Sequence, residues 1–235
     1  MKDFCIRIVC MYHSFAILML MLYIQFNPQN MLDEIQAHPL TVDVNVEMDP
    51  YQSVEEMVKD ANENGCDGLV NCTGFGSAKL CKDEALIGGR GILLHYERGC
   101  ARTIGDAGMV NDAAVLTEDG PWGTPADPVY IIPRGDVFVV GGTCYEGNTD
   151  TDLSEKERKR LMENAALMGI DTSASAPVNE WAGFRPLRET VRMEIDQELS
   201  SASGVRVLHS YGHGGSGWTT FVGVAKDATK LLLNC

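Results

Sequence analysis

The chain has 235 residues, of which 45% are hydrophobic, and this length is sufficient for one domain or for one domain and part of a second. Its formal net charge of −14 argues against nucleic acid and against an anionic membrane surface as partners, because both would repel an acidic protein. The eight cysteines have neither C-x-x-C nor Cys/His metal spacing, so we expect reduced thiols in an intracellular compartment and no metal.

The first 30 residues differ in composition from the rest. Residues 15–24 are apolar without interruption, and Lys2 and Arg7 precede them. This pattern is typical of the hydrophobic region of a signal peptide, but it is short for a membrane span and no cleavage-site pattern follows. Three interpretations stay open: a signal or anchor segment, a buried core helix, or a foreign N-terminus from an incomplete gene model, which we favour.

Downstream of this segment the patterning becomes that of an α/β protein. Alternation over 41–48 predicts a strand, and Ser53 with Glu56 forms a capping box that predicts a short helix. The apolar run 68–72 predicts a buried strand that leads directly into Thr73. Ligands of α/β proteins bind where strands end in such small polar residues, so Thr73 marks either a ligand contact or a structural turn.

The middle of the chain alternates strand patterns with turns. We predict three elements here, in chain order: a strand over 88–94, a hairpin formed by 130–133 and 137–140, and a helix, capped by Ser154 and Glu157, that runs to about Met168. Residues 95–128 are rich in proline and glycine near their end, and we predict that they are irregular.

A strand-like segment over 181–195 carries three arginines in an otherwise acidic chain: Arg185, Arg188 and Arg192. A guanidinium group matches the two oxygens of a carboxylate or phosphate, which favours an anion-binding function. The alternative is surface pairing with Glu189 or Glu194, and we favour this alternative for Arg188 and Arg192.

The segment 205–233 predicts a strand, a glycine-rich loop and an amphipathic helix in direct succession. Glycines permit positive φ angles and let backbone N–H groups approach a ligand, and the N-terminus of the following helix favours negative charge. The loop is either a tight structural turn or a ligand-binding loop. Tyr211 and His213 within it favour a ligand.

The loop glycines Gly212, Gly214 and Gly217 fit the G-x-G-x-x-G fingerprint of dinucleotide-binding units, which also requires a second parallel strand after the helix. The chain reaches Cys235 before such a strand, so we expect the loop to serve a ligand held mainly by other parts of the fold. The sequence shows no Ser/His/Asp arrangement and no metal-ligand spacing, which disfavours hydrolases and metalloenzymes.

Six short motifs occur along the chain: VNCTGFG (70–76), GRG (89–91), YIIPR (130–134), GGT (141–143), GFRPLR (183–188) and HSYGHGGSG (209–217). In this order and at this spacing, they resemble the D-amino-acid oxidase and D-aspartate oxidase family of flavoproteins. The resemblance covers roughly residues 31–233. It implies an α/β fold with a mixed sheet, formed by the C-terminal part of an FAD-binding domain and a substrate-binding domain.

The resemblance also implies domain bounds: an unmatched apolar leader over 1–30, a remnant of the FAD-binding domain over 31–80, the substrate-binding domain over 81–200, and a C-terminal FAD-binding strand, loop and helix over 201–235. The family opens with a βαβ unit whose glycine fingerprint holds the FAD pyrophosphate. That unit has no counterpart here, so we expect a C-terminal fragment of a longer enzyme.

Members of the family oxidise a D-amino acid to an imino acid by hydride transfer from Cα to FAD. Oxygen then reoxidises the flavin and yields hydrogen peroxide, and the imine hydrolyses to a 2-oxo acid and ammonia. The resemblance implies that Arg185 pairs with the substrate carboxylate, that Tyr130 hydrogen-bonds the same carboxylate, and that the carbonyl of Gly215 holds the amine. It implies seven flavin-contacting residues: Thr73, Gly214, Gly215, Ser216, Gly217, Trp218 and Thr219.

Some positions depart from the family pattern. A second active-site tyrosine is replaced by Cys144 or Ala126, although Tyr145 stands one position away and is a possible substitute. Cys144 also occupies the place of an arginine that members with acidic substrates have, which disfavours D-aspartate. The family is typically peroxisomal, but the chain ends in Leu-Asn-Cys and lacks the Ser-Lys-Leu type of tripeptide, so peroxisome and cytoplasm both stay open.

Two alternatives to an active D-amino-acid oxidase are kept. The first alternative is a catalytically inactive remnant of such an enzyme, and the second is a related flavin oxidase that acts on glycine or sarcosine. A homodimer is a further expectation.

Overall fold

The computed structural model describes five stretches of the chain: residues 6–10, 51–98, 115–117, 127–167 and 176–233. The strand predicted over 41–48 and most of the apolar leader lie outside the described residues. Within the described stretches, no helix has both the length and the apolar character that a bilayer crossing requires.

The strands of the described residues are, in chain order, β1 (Ile6–Cys10), β2 (Gly68–Cys72), β3 (Ile87–Glu97), β4 (Val115–Thr117), β5 (Val129–Arg134), β6 (Val137–Gly141), β7 (Tyr145–Glu146), β8 (Asn179–Ile195) and β9 (Arg206–His213). The helices are α1 (Val54–Glu63), α2 (Ser77–Leu80), α3 (Glu155–Leu167), α4 (Gln197–Ser203) and α5 (Gly217–Leu233), and Gly74–Gly76 forms a 3-10 turn.

The described residues divide into two compact units. Unit 1 contains residues 6–10, 51–88 and 185–233, and unit 2 contains the described residues between 89 and 184. The chain therefore leaves unit 1 after β2 and α2 and returns to it within the long strand β8. The domain bounds given by the family resemblance stay a prediction.

Unit 1 is formed by a mixed sheet with the strand order β1, β2, β9 and β8. β1 and β9 both pair in parallel with β2, and β9 pairs in antiparallel with β8. The cap predicted for α1 is confirmed, since the Ser53 hydroxyl accepts the Glu56 amide N–H and the Glu56 carboxylate accepts the Gln52 amide N–H. The apolar face of α1 packs on the sheet, with Met57 and Ala61 against Leu69 and Val207. The mixed α/β fold expected from the sequence is thus present.

The strand β1 lies inside the segment that the sequence analysis left as a leader. Its residues pair in register with β2, from Ile6 opposite Gly68 to Cys10 opposite Cys72. Two isoleucines and a valine in five residues favour an extended backbone, because branched side chains fit the pleated surface of a sheet. These five residues form a strand and not a helix, whereas the strand tests neither the signal or anchor segment nor the foreign N-terminus.

Unit 2 is formed by a sheet with the order β8, β3, β6, β5 and β4, and β7 pairs with β3. The predicted hairpin is confirmed as β5 and β6, paired from Tyr130 opposite Gly141 to Arg134 opposite Val137. Helix α3 covers this sheet with Leu161 and Ala165. The prediction that 95–128 is irregular was wrong at Tyr96 and in β4, because alternate side chains of β3 continue into the core up to Tyr96.

The guanidinium group of Arg90 binds the segment that precedes α3. Arg90 is 1% exposed and donates hydrogen bonds to the carbonyl oxygens of Asp150 (2.7 Å) and Asp152 (2.6 Å) and to the carboxylate of Glu157. The same carboxylate accepts the backbone N–H (2.8 Å) and the hydroxyl (2.7 Å) of Ser154, which confirms the predicted cap. Burial alone would raise the pKa of Glu157, but these hydrogen bonds outweigh it and lower the pKa.

We expect the Glu157→Gln variant to lower the free energy of unfolding of unit 2 by about 2–4 kcal/mol, because the charge of buried Arg90 would lose its counterion. Chemical denaturation measures this difference. The control is Glu163→Gln on the same helix, where an exposed pair with Lys159 is lost and a change below about 0.5 kcal/mol is expected. Equal losses in the two variants would contradict the structural role of Arg90.

Candidate functional site

The carboxyl ends of the parallel strands β2 and β9 form one edge of unit 1. Thr73 follows β2 and starts the Gly74–Gly76 turn, which contacts β9. Residues 214–216 follow β9 and lead directly into α5. Since such an edge is where α/β sheets bind ligands, the structure brings two predicted parts of the flavin site together.

The glycine loop after β9 has a backbone that glycine favours. The φ angles are 83° at Gly212 and 57° at Gly214. A Cβ atom on Gly212 would lie 2.8 Å from the Cβ atom of Arg188, so the chain needs glycine there for close packing as well. The N–H of Gly214 donates to the carbonyl of Pro186 (2.9 Å), and the N–H of Ser216 donates to the carbonyl of His213 (3.0 Å). The loop is thereby held between β8 and the start of α5.

The N-terminal turn of α5 starts at the end of this loop. It contains three of the predicted flavin-contacting residues: Gly217, Trp218 and Thr219. Backbone N–H groups in the first turn of a helix point out of the helix end and give it partial positive charge. This helix end is suited to an electron-rich group.

Arg185 lies beside the same loop. It stands immediately before Pro186, whose carbonyl accepts a hydrogen bond from the N–H of Gly214. The next residue, Leu187, pairs with His213 between β8 and β9. Its side chain is 3% exposed. Of the predicted site residues, unit 1 therefore brings together Thr73, Arg185 and the residues of the loop.

The other two arginines of β8 have structural partners. Arg192 forms an ion pair with Glu194 (2.7 Å), which confirms the surface pairing favoured for it. Arg188 also forms an ion pair, but its partner is Asp83 (3.2 Å) and not a neighbouring glutamate. A partner 105 positions away in the sequence gives no local signal, so the sequence analysis named the wrong carboxylate.

The side chain of Tyr211 is buried and hydrogen-bonded inside unit 1. Its side chain is 1% exposed, its hydroxyl donates to Asp83 (2.8 Å), and Arg192 donates to the same hydroxyl (2.7 Å). Burial and the hydrogen bond to Asp83 raise the pKa of Tyr211 against the opposing effect of Arg192. Tyr211 was used in the sequence analysis as a sign of a ligand-binding loop, but its ring and its hydroxyl contact the interior of unit 1, so it gives no support to that interpretation. His213 is half-buried, and burial lowers its pKa.

Sequence analysis missed a buried polar chain beneath the functional edge. The side-chain oxygen of Asn71 accepts the backbone N–H (3.1 Å) and the hydroxyl (2.8 Å) of Thr73. The side-chain nitrogen of Asn71 lies 3.1 Å from Nδ1 of His209, and Nε2 of His209 lies 3.3 Å from Asp196. Asn71 and His209 face each other in the register of β2 and β9. A polar residue within the apolar strand β2 was the available signal.

Tyr130, the other predicted substrate-binding side chain, lies in unit 2 and is fully buried. It is packed against the GGT motif: a Cβ atom on Gly141 would overlap its ring, and one on Gly142 would lie 2.5 Å from its hydroxyl oxygen. The two glycines are thus required by the tyrosine side chain and not by a turn. Thr143, the last residue of the motif, donates its hydroxyl to the carbonyl of Arg90 (2.9 Å).

Tyr145 belongs to a second polar cluster of unit 2. Its hydroxyl donates to Asp127 (2.6 Å), and Arg160 pairs with the same carboxylate (2.7 Å) and donates to the carbonyl of Gly142 (2.8 Å). Burial and the hydrogen bond to Asp127 raise the pKa of Tyr145 to about 12. The hydroxyl considered as a substitute for the missing active-site tyrosine is thus bound to Asp127.

Comparison with protein families decides the identity of the fold. Residues 41–231, well over half of the chain, match the model of the DAO family, described as FAD dependent oxidoreductase. The chain belongs to this family. Members of the DAO family use FAD, and D-amino-acid and D-aspartate oxidases are among the relatives of the chain.

Two curated relatives and one solved structure illustrate the similarity. A D-amino acid oxidase of Dugesia ryukyuensis is 32% identical over 70% of this chain and 45% of its own length, and D-aspartate oxidase 1 of Caenorhabditis elegans is 28% identical over 77% and 50%. The glycine oxidase of Geobacillus kaustophilus superposes with a TM-score of 0.54 at 17% identity, over 72% of this chain and 42% of the other, which shows the fold alone. The chain spans about half the length of the curated relatives it matches.

The residues at the edge of unit 1 fit the DAO-family cofactor. Gly74 has a positive φ angle of 57°, which glycine favours, and it belongs to the turn that starts at this edge. The helix end at α5 supplies partial positive charge for a reduced flavin, whose ring carries negative charge.

We expect Gly141→Ala to lower the free energy of unfolding of unit 2 by about 1–3 kcal/mol, because the added methyl group would displace the buried ring of Tyr130. Thermal or urea unfolding provides the measurement. The matched control is Gly223→Ala, in α5, where nothing lies within 4 Å of the added Cβ atom. That change is expected to be neutral or stabilising, by up to about 1 kcal/mol, because alanine favours helix. A fully stable Gly141→Ala variant would contradict the packing.

Proposed function

We propose that this chain forms part of an enzyme that converts D-amino acids to 2-oxo acids, with release of ammonia and hydrogen peroxide. The observation that carries the proposal is the position of buried Arg185 beside the glycine loop, at the edge where Thr73 also lies. A buried arginine whose backbone adjoins this loop suits a substrate that has a carboxylate on its reacting carbon, because a guanidinium group matches the two carboxylate oxygens.

In the proposed mechanism the residues position the substrate and take no proton. Arg185 binds the carboxylate through two hydrogen bonds, and the carbonyl of Gly215 accepts one from the substrate amine. The contact of the Tyr130 hydroxyl with the carboxylate stays a prediction from the family resemblance. When Cα loses hydride, the lone pair of the neutral amine forms the carbon–nitrogen double bond, so no side-chain base is required. FAD, when bound, supplies the hydride acceptor and passes two electrons to oxygen.

The proposed flavin contacts are the residues predicted from the resemblance: Thr73, Gly214, Gly215, Ser216, Gly217, Trp218 and Thr219. The N-terminus of α5 is placed to stabilise the negative charge of the reduced ring, because its N–H groups form the end of the loop. Electrostatic stabilisation by a preorganised backbone needs no movement during the reaction.

A second candidate substrate class is acidic D-amino acids. The similarity to the D-aspartate oxidase of Caenorhabditis elegans favours it, whereas Cys144 in place of an arginine favours neutral substrates. An oxidase for glycine or sarcosine is a third candidate. A homodimer, and a location in the peroxisome or the cytoplasm, stay predictions from the family.

We expect the purified 235-residue chain, reconstituted with FAD, to show a bound oxidised-flavin spectrum that bleaches when D-alanine is added without oxygen. Absorbance spectroscopy measures both steps, and parallel additions of D-aspartate, glycine and L-alanine separate the substrate classes. Bleaching by L-alanine alone would contradict the proposal. A colourless protein after reconstitution would contradict this expectation and place any oxidase activity in a longer chain.

We expect Arg185→Leu to weaken D-alanine binding by at least about 100-fold and to leave the flavin spectrum intact, because the carboxylate would lose its charged bidentate partner. Arg185→Lys keeps the charge without the fork and should give an intermediate loss. Arg158→Leu is the control: it removes an arginine that pairs with Glu155 and Glu180. Normal substrate affinity in Arg185→Leu would reject the carboxylate assignment.

A further inference from the structure

A backbone N–H group determines which atoms donate and which accept in the buried chain of hydrogen bonds from Thr73 through Asn71 and His209 to Asp196. The N–H of Thr73 is a donor that cannot be reversed, so the atom of Asn71 that faces it has to be the side-chain oxygen. The NH₂ group of Asn71 then faces Nδ1 of His209, which has to be an unprotonated acceptor. The single proton of neutral His209 therefore lies on Nε2, where it is donated to Asp196.

The second hydrogen of the Asn71 NH₂ group also lies close to partners, with the hydroxyl of Ser77 at 3.3 Å and the thiol of Cys81 at 3.2 Å. The hydroxyls of Thr73 and Ser77 are 2.7 Å apart. Because the hydroxyl proton of Thr73 is donated to Asn71, Ser77 is the donor in this contact. Every polar atom of the chain thus has one consistent assignment.

Protonation of His209 is incompatible with this arrangement. An imidazolium carries a hydrogen on Nδ1, which would point at the NH₂ group of Asn71. If the amide of Asn71 turned over to accept it, the NH₂ group would face the backbone N–H of Thr73 instead. In the first arrangement the contact between Asn71 and His209 is lost, and in the second the contact between Asn71 and Thr73 is lost, so protonation loosens the chain of hydrogen bonds that holds Thr73.

We propose that His209, acting through Asn71, is a positioning residue for the flavin: its neutral Nε2–H form fixes Thr73 and the Gly74–Gly76 turn, and its protonation weakens flavin binding. This inference rests on the proposed function. Thr73 is fully buried and gives both of its donors to Asn71, so the position of this proposed flavin contact, and of the turn that it starts, depends on Asn71.

The groups around His209 include some that lower its pKa and some that raise it. The charged and titratable groups that face it are Asp196 at the start of α4, Arg192 and Glu194 on β8, Cys81 after α2 (3.9 Å from Nδ1) and Tyr211 on β9 (5.7 Å between ring centres). Burial and the positive charge of Arg192 lower the pKa of His209 and outweigh the two carboxylates. Protonation of His209 therefore requires a lower pH than it does for a histidine in water.

The first test needs no variant. In the full chain labelled with ¹⁵N-histidine, NMR at pH 7.5 is expected to show His209 with a proton on Nε2 and none on Nδ1, and His209→Gln identifies the signal by its loss. A protonated Nδ1 at this pH would overturn the inference, whether or not the chain binds FAD.

The second test is the affinity for FAD between pH 8 and pH 5, measured by flavin fluorescence in a range where circular dichroism shows the fold to be intact. We expect the affinity of the unmodified chain for FAD to fall by about 3- to 10-fold from pH 8 to pH 5, because the loss of one hydrogen bond changes an affinity by roughly this factor. His209→Gln should abolish this dependence, because glutamine offers an acceptor and a donor but does not titrate. His213→Gln, beside the loop, should retain it.

A further variant covers the case in which His209→Gln fails to fold. Asn71→Asp can accept the N–H of Thr73 and also the Nδ1–H of an imidazolium, so it too should remove the acid loss of affinity. Asn64→Asp adds the same charge to exposed Asn64 of unit 1 and should retain the loss.

The outcomes separate the inference from the proposed function. The same acid dependence in the unmodified chain and in His209→Gln, or no dependence in the unmodified chain, would overturn the inference and leave flavin binding standing. An absence of FAD binding at every pH would overturn the proposed function, and with it the link between His209 and the flavin.

Discussion

The parallel pairing of β2 with β9 is the constraint on which unit 1 depends. It joins two segments that are far apart in the chain, since Asn71 and His209 are separated by 138 positions. Because the two strands run in the same direction, their carboxyl ends lie at one edge, and the turn after Thr73 meets the loop that leads into α5. All candidate functional features of unit 1 follow from this pairing.

Buried polar groups fasten the loops of both units to their sheets. In unit 1, the chain from Thr73 through Asn71 to His209 ends on Asp196, which also caps α4. In unit 2, the guanidinium of Arg90 holds the segment before α3. A buried polar group is costly unless its hydrogen bonds are made, so each network admits few alternatives and positions its loop well.

The family explains why the site has few titratable groups with a chemical task. A flavin supplies the reactive atom, and the protein contributes binding, orientation and electrostatics. The chain matches about half of the length of its curated relatives, and the part it contains includes the glycine loop, the helix end of α5 and Arg185. In the proposed function, its contribution is an edge that faces the flavin and an arginine that binds a carboxylate.

Local features of the sequence determined much of the secondary structure. The capping boxes at Ser53 and Ser154, the apolar run of β2 and the alternation of β5 and β6 each act over a few residues, so they were visible without a fold. The six motifs likewise identified the family and the glycine loop. What decided these features is short-range hydrogen bonding and hydrophobic periodicity.

Only the tertiary structure decided which distant groups meet. The partner of Arg188 proved to be Asp83, and Tyr211 turned inwards to the same carboxylate. The glycines of the GGT motif are explained by Tyr130, a residue of the neighbouring strand. These contacts are set by strand register and by the packing of elements that are distant in sequence. Neither produces a local sequence pattern, because the hydrogen-bond partner of a buried polar residue can come from any part of the chain.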